Sequence, residues 1–372
     1  MKTSTNFLCL LIILLINFVE SNNSACNSNL YGTGVCTHYK YCNFLSEKLR
    51  NKEIQLKDVV YCGSYSLVCC PSSAPSSPEN FVPQELKVKL RISEEKCIEY
   101  AESTKQINYV SQSLLSTKPI KVVVDKCNHK SVPLVVGGTE AQSHEFPHHA
   151  VLGRGKESSI EWSCGGSLVS PQFILTAAHC APVATFVKIG INSLSRSNDQ
   201  KLYRVIQKIV HPKYNSGLIS NDIALLKLNQ NVELNENVHP ICLPTKQFDE
   251  PKAIATGFGK TSFYDTISNK LLKVTLEKFS IRECQETFDD KTIDDKSMLC
   301  YGHRTEAKDT CDGDSGGPLQ VSNGDQVKCT YMQIGIVSFG SRYCGSEGVP
   351  AIYVNVFNYI DWIEQVVWKN GS

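Results

Sequence analysis

The sequence predicts an all-β main domain that ends in one helix and is preceded by a small disulfide-stapled module. Three observations carry this. From Val135 onward, short runs rich in Val, Ile and Leu, such as Phe173 to Leu175, Ile223 to Leu228 and Gln333 to Val337, alternate with Gly, Asn and Pro turns. That is the pattern of strands separated by breakers. Only Tyr359 to Val367 sets Ile360, Ile363 and Val367 at helical spacing, which predicts a C-terminal helix docked on the strands. Ahead of both, Cys26 to Cys70 holds six cysteines in 45 residues, too small a segment to depend on a hydrophobic core alone.

Taken in chain order, the first element is an uncharged apolar run, Phe7 to Val19, behind Lys2 and followed by Val19-Glu20-Ser21. It is shorter than the about 20 apolar residues a membrane span needs and reads as a signal peptide over residues 1–21. The chain is therefore expected to be secreted, with no second segment to anchor it. Of the 17 cysteines, Cys9 lies in that signal, and the even remainder reads as a disulfide framework in an oxidising compartment. Metal binding is the weaker reading, since no Cys-x-x-Cys pair occurs at zinc spacing. The formal net charge of +1, with acids and bases mixed, excludes an obvious nucleic-acid partner. Sequons at Asn22 and Asn370 permit glycosylation at the chain ends. The six-cysteine module is expected over 22–70. Pro71 to Pro78, rich in Ser and Pro with no apolar face to bury, opens a linker and activation segment over 71–134. The main domain follows over 135–372.

Chemistry concentrates in three stretches: Thr176-Ala177-Ala178-His179-Cys180, Asn221-Asp222-Ile223-Ala224-Leu225-Leu226, and Gly313-Asp314-Ser315-Gly316-Gly317-Pro318. Hydrolysis of an unactivated acyl bond needs a hydroxyl made nucleophilic by an imidazole, with a buried carboxylate fixing the tautomer. Glycines around Ser315 let the amides of Gly313 and Ser315 point at one spot, where an oxyanion could develop. Each residue alone has a bland reading: a core or surface histidine, a turn aspartate, a flexible loop. Together the three stretches resemble the signatures of the chymotrypsin-like (S1) serine proteases, over roughly Val135 to Lys369.

That resemblance implies two six-stranded antiparallel barrels with the active site between them. It makes Ser315 the nucleophile, His179 the general base and then acid, and Asp222 the orienting carboxylate. It also gives a meaning to Ser131-Val132-Pro133-Leu134-Val135-Val136-Gly137-Gly138: cleavage of Leu134-Val135 would free an amine at Val135 that pairs with Asp314. Asp309, six residues before Ser315, occupies the place where trypsin-like members put the carboxylate that receives substrate Lys or Arg. Ser338-Phe339-Gly340 resembles the strand that pairs with the substrate backbone, and Gly340 would leave the pocket mouth open. Ala351 stands where such pockets commonly carry glycine and should narrow the slot. No calcium loop is implied, because Asn192 to Arg204 holds only Asp199 as an acid. No cofactor is implied either.

The spacing Cys26-x9-Cys36-x5-Cys42-x19-Cys62-x6-Cys69-Cys70 resembles the clip domain that precedes arthropod cascade proteases. Six cysteines allow fifteen pairings, and spacing does not choose among them. The family pattern implies Cys26–Cys69, Cys36–Cys62 and Cys42–Cys70 in the clip domain, and Cys164–Cys180, Cys284–Cys300 and Cys311–Cys344 in the protease. Cys127–Cys242 resembles the bridge that retains the light chain, which leaves Cys97 to pair with Cys329. Lys96 to Tyr100 and Leu134 resemble the Snake-like and Persephone-like subgroup. The expectation is a secreted zymogen of an extracellular cascade, in innate immunity, melanisation or patterning, working in haemolymph or a perivitelline-type fluid. Its expected partners are an upstream protease with an apolar-directed pocket, a downstream clip-protease zymogen and a serpin inhibitor. The rivals are a non-catalytic clip homologue, disfavoured by the retained Ser315, and a digestive or venom protease, disfavoured by the clip module.

Overall fold

The structure is a computed structural model that describes residues 25–28, 32–38, 42–51, 53–54, 59–62, 64–71, 90–101, 105–110, 120–125, 138–195, 201–218, 220–260, 266–290, 292–305, 310–323, 330–340 and 347–369. The chain divides into two compact units, 1–86 and 87–372. In the first, strands β1 (Ala25–Ser28), β2 (Gly32–His38), β3 (Tyr61–Cys62) and β4 (Ser64–Pro71) form a sheet in the order β1-β2-β4-β3. Helix α1 (Asn43–Arg50) contributes Leu45 to a small core with Cys42, Val59 and Val68. Three disulfides, Cys26–Cys69, Cys36–Cys62 and Cys42–Cys70, reinforce it. Closing loops of this length restricts the unfolded chain by about 3 kcal/mol each, which is how so small a core suffices.

The second unit begins with helix α2 (Ile92–Ala101) and a hairpin of β5 (Lys105–Val110) and β6 (Ile120–Asp125). The stretch 71–134 is thus not linker throughout. The Ser/Pro composition that argues for a solvated chain stops at Pro78, and α2 buries Ser93, Cys97, Tyr100 and Ala101 along one face. After β7 (Thr139–Glu140), strands β8 (His149–Lys156), β9 (Ser159–Ser170), β10 (Phe173–Thr176), β11 (Phe186–Ile189), β12 (Tyr203–Val210) and β13 (Ala224–Leu228) close a six-stranded antiparallel barrel. A second barrel comprises β14 (Lys252–Gly257), β15 (Leu272–Lys278), β16 (Met298–Gly302), β17 (Pro318–Ser322), β18 (Tyr331–Phe339) and β19 (Ala351–Asn355), closed by β14 against β15, with β7 added beside β15. Helix α3 (Ile281–Phe288) lies between β15 and β16 and starts at a Ser280/Glu283 capping box. The last helix, α4 (Ile360–Glu364), continues as a wider turn through Lys369. It follows the second barrel in sequence, yet Ile360, Ile363 and Val367 join an apolar cluster built mostly from the first barrel, with Tyr331, Ile336 and Val354 of the second.

Cys164–Cys180 and Cys284–Cys300 are bonded. Cys311 is also disulfide-bonded; its expected partner, Cys344, lies outside the described residues. Two expected pairings are corrected. Cys97 bonds Cys242, with their Cα atoms 5.1 Å apart, so neither Cys97–Cys329 nor Cys127–Cys242 forms. The reason is local: α2 packs Cys97 into the same apolar cluster as Cys242 and Met332, and a disulfide forms only between Cα atoms at about this distance. Between the barrels runs a buried polar seam. His149 Nδ1 on β8 lies 3.0 Å from Thr256 Oγ1 on β14, His148 Nε2 lies 2.5 Å from Gln320 Oε1 on β17, and Ser167 Oγ donates to Gln333 Oε1 on β18 at 2.5 Å.

Candidate active site

Two neighbouring strands of the first barrel bring His179 and Asp222 together. Strand β10, fully buried, pairs with β13 in a register that opposes Thr176 to Ala224. The chain leaving β10 turns through a short 3-10 segment, Ala178–Cys180, and the chain entering β13 carries Asp222 two residues before its start. Both side chains therefore emerge at one rim. Small residues make the tight turn possible: Ala177 and Ala178 are buried, and Cys180 ties the turn to β9 through Cys164. Asn221, just before Asp222, adopts a left-handed φ of 53°. It is held there by its amide donating to Lys213 O at 3.0 Å and by the Tyr359 hydroxyl donating to its Oδ1 at 3.2 Å.

Asp222 has no exposed surface, and three donors meet its carboxylate. His179 Nδ1 lies 2.8 Å from Oδ2, the His179 backbone N–H donates to Oδ1 at 3.0 Å, and the Ser338 hydroxyl donates to Oδ2 at 2.6 Å. Burial pushes this carboxyl up, but the hydrogen bonds from His179 and Ser338 outweigh it and hold the group below the usual carboxylate range. A permanent anion against Nδ1 fixes the proton there and leaves Nε2 as the basic nitrogen. The His179 side chain is 35% exposed, open on the side away from Asp222.

Ser315 lies in the turn Gly313–Gly317. Its carbonyl accepts from Gly165 N at 2.8 Å, and the Cys180 sulfur, already bonded to Cys164, lies 3.4 Å from that oxygen, which puts this turn against the residue that follows His179. Gly313 and Gly316 hold φ of 101° and 81°, and a Cβ on Gly316 would stand 2.2 Å from Thr176 Oγ1, so only glycine allows the approach. The amides of Asp314, Gly316 and Gly317 are spent on Cys311 O, Val337 O and Asp314 O.

Asp314 points the other way, into a nest formed by Gly257 and Gly259. A Cβ at either position would fall within 2.4 Å of its carboxylate. Gly259 N donates to Oδ1 at 2.7 Å and Cys311 N to Oδ2 at 2.9 Å. Desolvation nevertheless dominates and pushes the carboxyl up to about 6. The pair Gly257-Phe258-Gly259 was visible in the sequence, but nothing there linked it to Asp314. The same holds for Ser338: read as a substrate-pairing residue, it commits its hydroxyl to Asp222, 116 residues away.

Of the remaining expected site residues, Ala351 is 1% exposed and opposes Tyr301 at the start of β19, while Gly340 is exposed. Gly348 N donates to His303 O at 3.1 Å, tying together the two loops that flank that end of the barrel. Asp309, Leu134, Val135, Cys127, Cys329, Cys344, Asn22 and Asn370 lie outside the described residues. Among the described residues, Cys26, Cys36 and Cys62 converge, as do Cys164, His179 and Cys180. Their sulfurs are all in disulfides, and oxidised cysteine supplies no thiolate to a metal.

The trypsin family model matches residues 135–363. The chain is 31% identical over 352 residues to Serine protease snk of Drosophila melanogaster, covering 91% of this chain and 77% of that protein. It is 29% identical over 391 residues to Melanization protease 1 of the same species, covering 92% of each. With CLIP domain-containing serine protease B4 of Anopheles gambiae, identity is 34% over 267 residues, 65% of this chain and 72% of the relative. Among the described residues no helix is long and apolar enough to cross a membrane. A double barrel, a disulfide-bonded N-terminal module and these relatives together establish that the chain belongs to the trypsin family of serine endopeptidases, among its arthropod clip-domain members.

Proposed function

We propose that the protein is a secreted zymogen of an extracellular protease cascade, activated by cleavage of Leu134-Val135, that in turn cleaves a downstream clip-protease zymogen after Arg or Lys. The observation that carries this is the His179–Asp222 pair set beside the Ser315 turn. In this reading Ser315 Oγ attacks the scissile carbonyl while His179 Nε2 takes its proton. Asp222 stabilises the imidazolium, and His179 then returns the proton to the leaving amine. The amides of Gly313 and Ser315 stabilise the oxyanion, a role supported by the engagement of the other amides of the turn. Asp309 receives the basic side chain, with Ala351 narrowing the slot and the Ser338–Gly340 strand pairing with the substrate backbone. After cleavage the Val135 amine neutralises Asp314, whose raised pKa marks a carboxylate in want of a cation. The named relatives, Serine protease snk and Melanization protease 1 of Drosophila melanogaster, support the cascade role.

The activation bond presents Leu134, which the enzyme's own acid-lined pocket would leave facing an unpaired carboxylate. Self-activation is therefore expected to be negligible, and the activator to have an apolar-directed pocket. The test exposes purified zymogen to proteases of apolar and basic specificity. The heavy chain should begin Val-Val-Gly-Gly only with the former, and Leu134→Arg should reverse the preference. The activated enzyme should hydrolyse Arg and Lys substrates, and Asp309→Ser should cost several orders of magnitude in kcat/KM. A wild-type preference for Phe or Leu, or rapid self-conversion at Leu134, would sink the reading.

A further inference from the structure

Helix α2 precedes the proposed cleavage bond, and α4 lies near the other end of the chain, yet the two share one polar cluster. At its centre is Glu364, whose side chain is 4% exposed. Its Oε1 accepts hydrogen bonds from Arg91 Nε at 3.1 Å, Ser93 Oγ at 2.7 Å and Ser93 N at 3.3 Å, and the second guanidinium nitrogen donates to Oε2 at 3.0 Å. The same guanidinium pairs with Asp361. Burial pushes the Glu364 carboxyl up, but the bonds from Arg91 and Ser93 outweigh it and hold the group below its usual range. A carboxylate at this depth is tolerated only when paired. Among the described residues, each hydrogen-bond donor to it comes from ahead of the cleavage bond.

The rest of α2 is equally committed to the protease. Ser93, Cys97, Tyr100 and Ala101 are buried at i, i+4, i+7 and i+8, one helical stripe. Thr245 Oγ1 donates to Glu94 Oε1 at 2.7 Å, Trp368 Nε1 donates to the Tyr100 hydroxyl oxygen at 3.2 Å, and Cys97 bonds Cys242 in the middle. We propose that Arg91–Ala101 is a standing subunit of the cleaved protease, seated in a receptor made by Glu364, Asp361, Trp368 and Thr245 that holds it without the disulfide. The partner of this surface is the protein's own light chain, and the receptor selects for an Arg-x-Ser sequence at a helix start. The proposal rests on the proposed cleavage only in that the cut turns the two sides into separate chains. It also reaches the active site: α4 follows directly on Tyr359, whose hydroxyl braces Asn221 beside Asp222.

The test uses the full chain with Ser315→Ala to prevent self-digestion, and with residues 128–134 replaced by the recognition sequence of a site-specific protease. Cys97, Cys127, Cys242 and Cys329 are all changed to Ser. After the cut, size-exclusion chromatography under native conditions should show both chains co-eluting, and adding Arg91→Ala with Ser93→Ala should release the light chain. Separation of the chains without those two changes would overturn the proposal. If the form with these four cysteines replaced fails to fold, Arg91→Ala is made with every disulfide intact, and hydrogen exchange is followed in residues 360–369. Exchange should quicken at least tenfold; unchanged protection would equally overturn the proposal. The inserted site makes the result independent of where natural activation occurs, which N-terminal sequencing reads separately.

Discussion

Ser338→Ala isolates one of the three hydrogen bonds on the Asp222 carboxylate. The hydroxyl sits 2.6 Å from Asp222 Oδ2, the same oxygen that faces His179 Nδ1, and Asp222 has no exposed surface. Water therefore has no direct route to replace it. A hydrogen bond to a charged group contributes roughly 1.5–3 kcal/mol, and the upper figure, felt entirely in the transition state, would lower the rate about 150-fold. Ser338 also bonds the carboxylate in the ground state, so only the difference between the two states reaches the rate. We expect a fall in kcat/KM of about 3- to 30-fold. Without the Ser338 donor the Asp222 carboxyl should rise from its depressed position, because one of the bonds that hold it down is gone. The assay is kcat/KM for a chromogenic Arg peptide from pH 5 to 10 on the activated enzyme, with thermal unfolding as a check on the fold. An unchanged rate would refute the reasoning, as would a collapse beyond about 1,000-fold with the fold intact, far outside one hydrogen bond.

Ser315→Ala should abolish turnover, a loss on the order of 10⁴–10⁶, and adding His179→Ala should cost little more, because the residues act as a unit; multiplicative losses would contradict the partnership. His149 is fully buried and desolvation pushes its pKa down to about 3. The unfolded chain binds this proton near 6.5, so stability should fall as pH drops from about 6.5 toward 3, by up to roughly 1.4 kcal/mol per pH unit. His149→Gln should remove that slope in chemical denaturation. Asp314 in the uncut chain has the opposite sign: with its pKa raised to about 6, its contribution is present below about 4 and lost as pH rises through 6. Asp314→Asn should therefore stabilise the zymogen at neutral pH relative to pH 4, and abolish activity after cleavage. The two slopes oppose each other between pH 4 and 6, so each is measured as variant minus wild type.

What the sequence by itself determined is whatever depends on neighbours along the chain. Alternating apolar runs and breakers announce the strands, and Ile360, Ile363 and Val367 announce the last helix. The small residues around His179, Asp222 and Ser315 mark them out because tight turns and close backbone approach are local requirements. The Ser/Pro run at 71–78 was legible as linker composition, but it concealed the helix beyond it, whose short apolar stripe is ambiguous until something packs against it. Tertiary structure decided the partnerships. Ser338 meets Asp222 across 116 residues, Arg91 meets Glu364 across 273, and Gly257 and Gly259 make room for Asp314 through the side chains they lack. Cys97 found Cys242 for the same reason. Cysteine chemistry is identical at every position, so burial and a Cα separation near 5 Å choose the bond, and those exist only once α2 has docked.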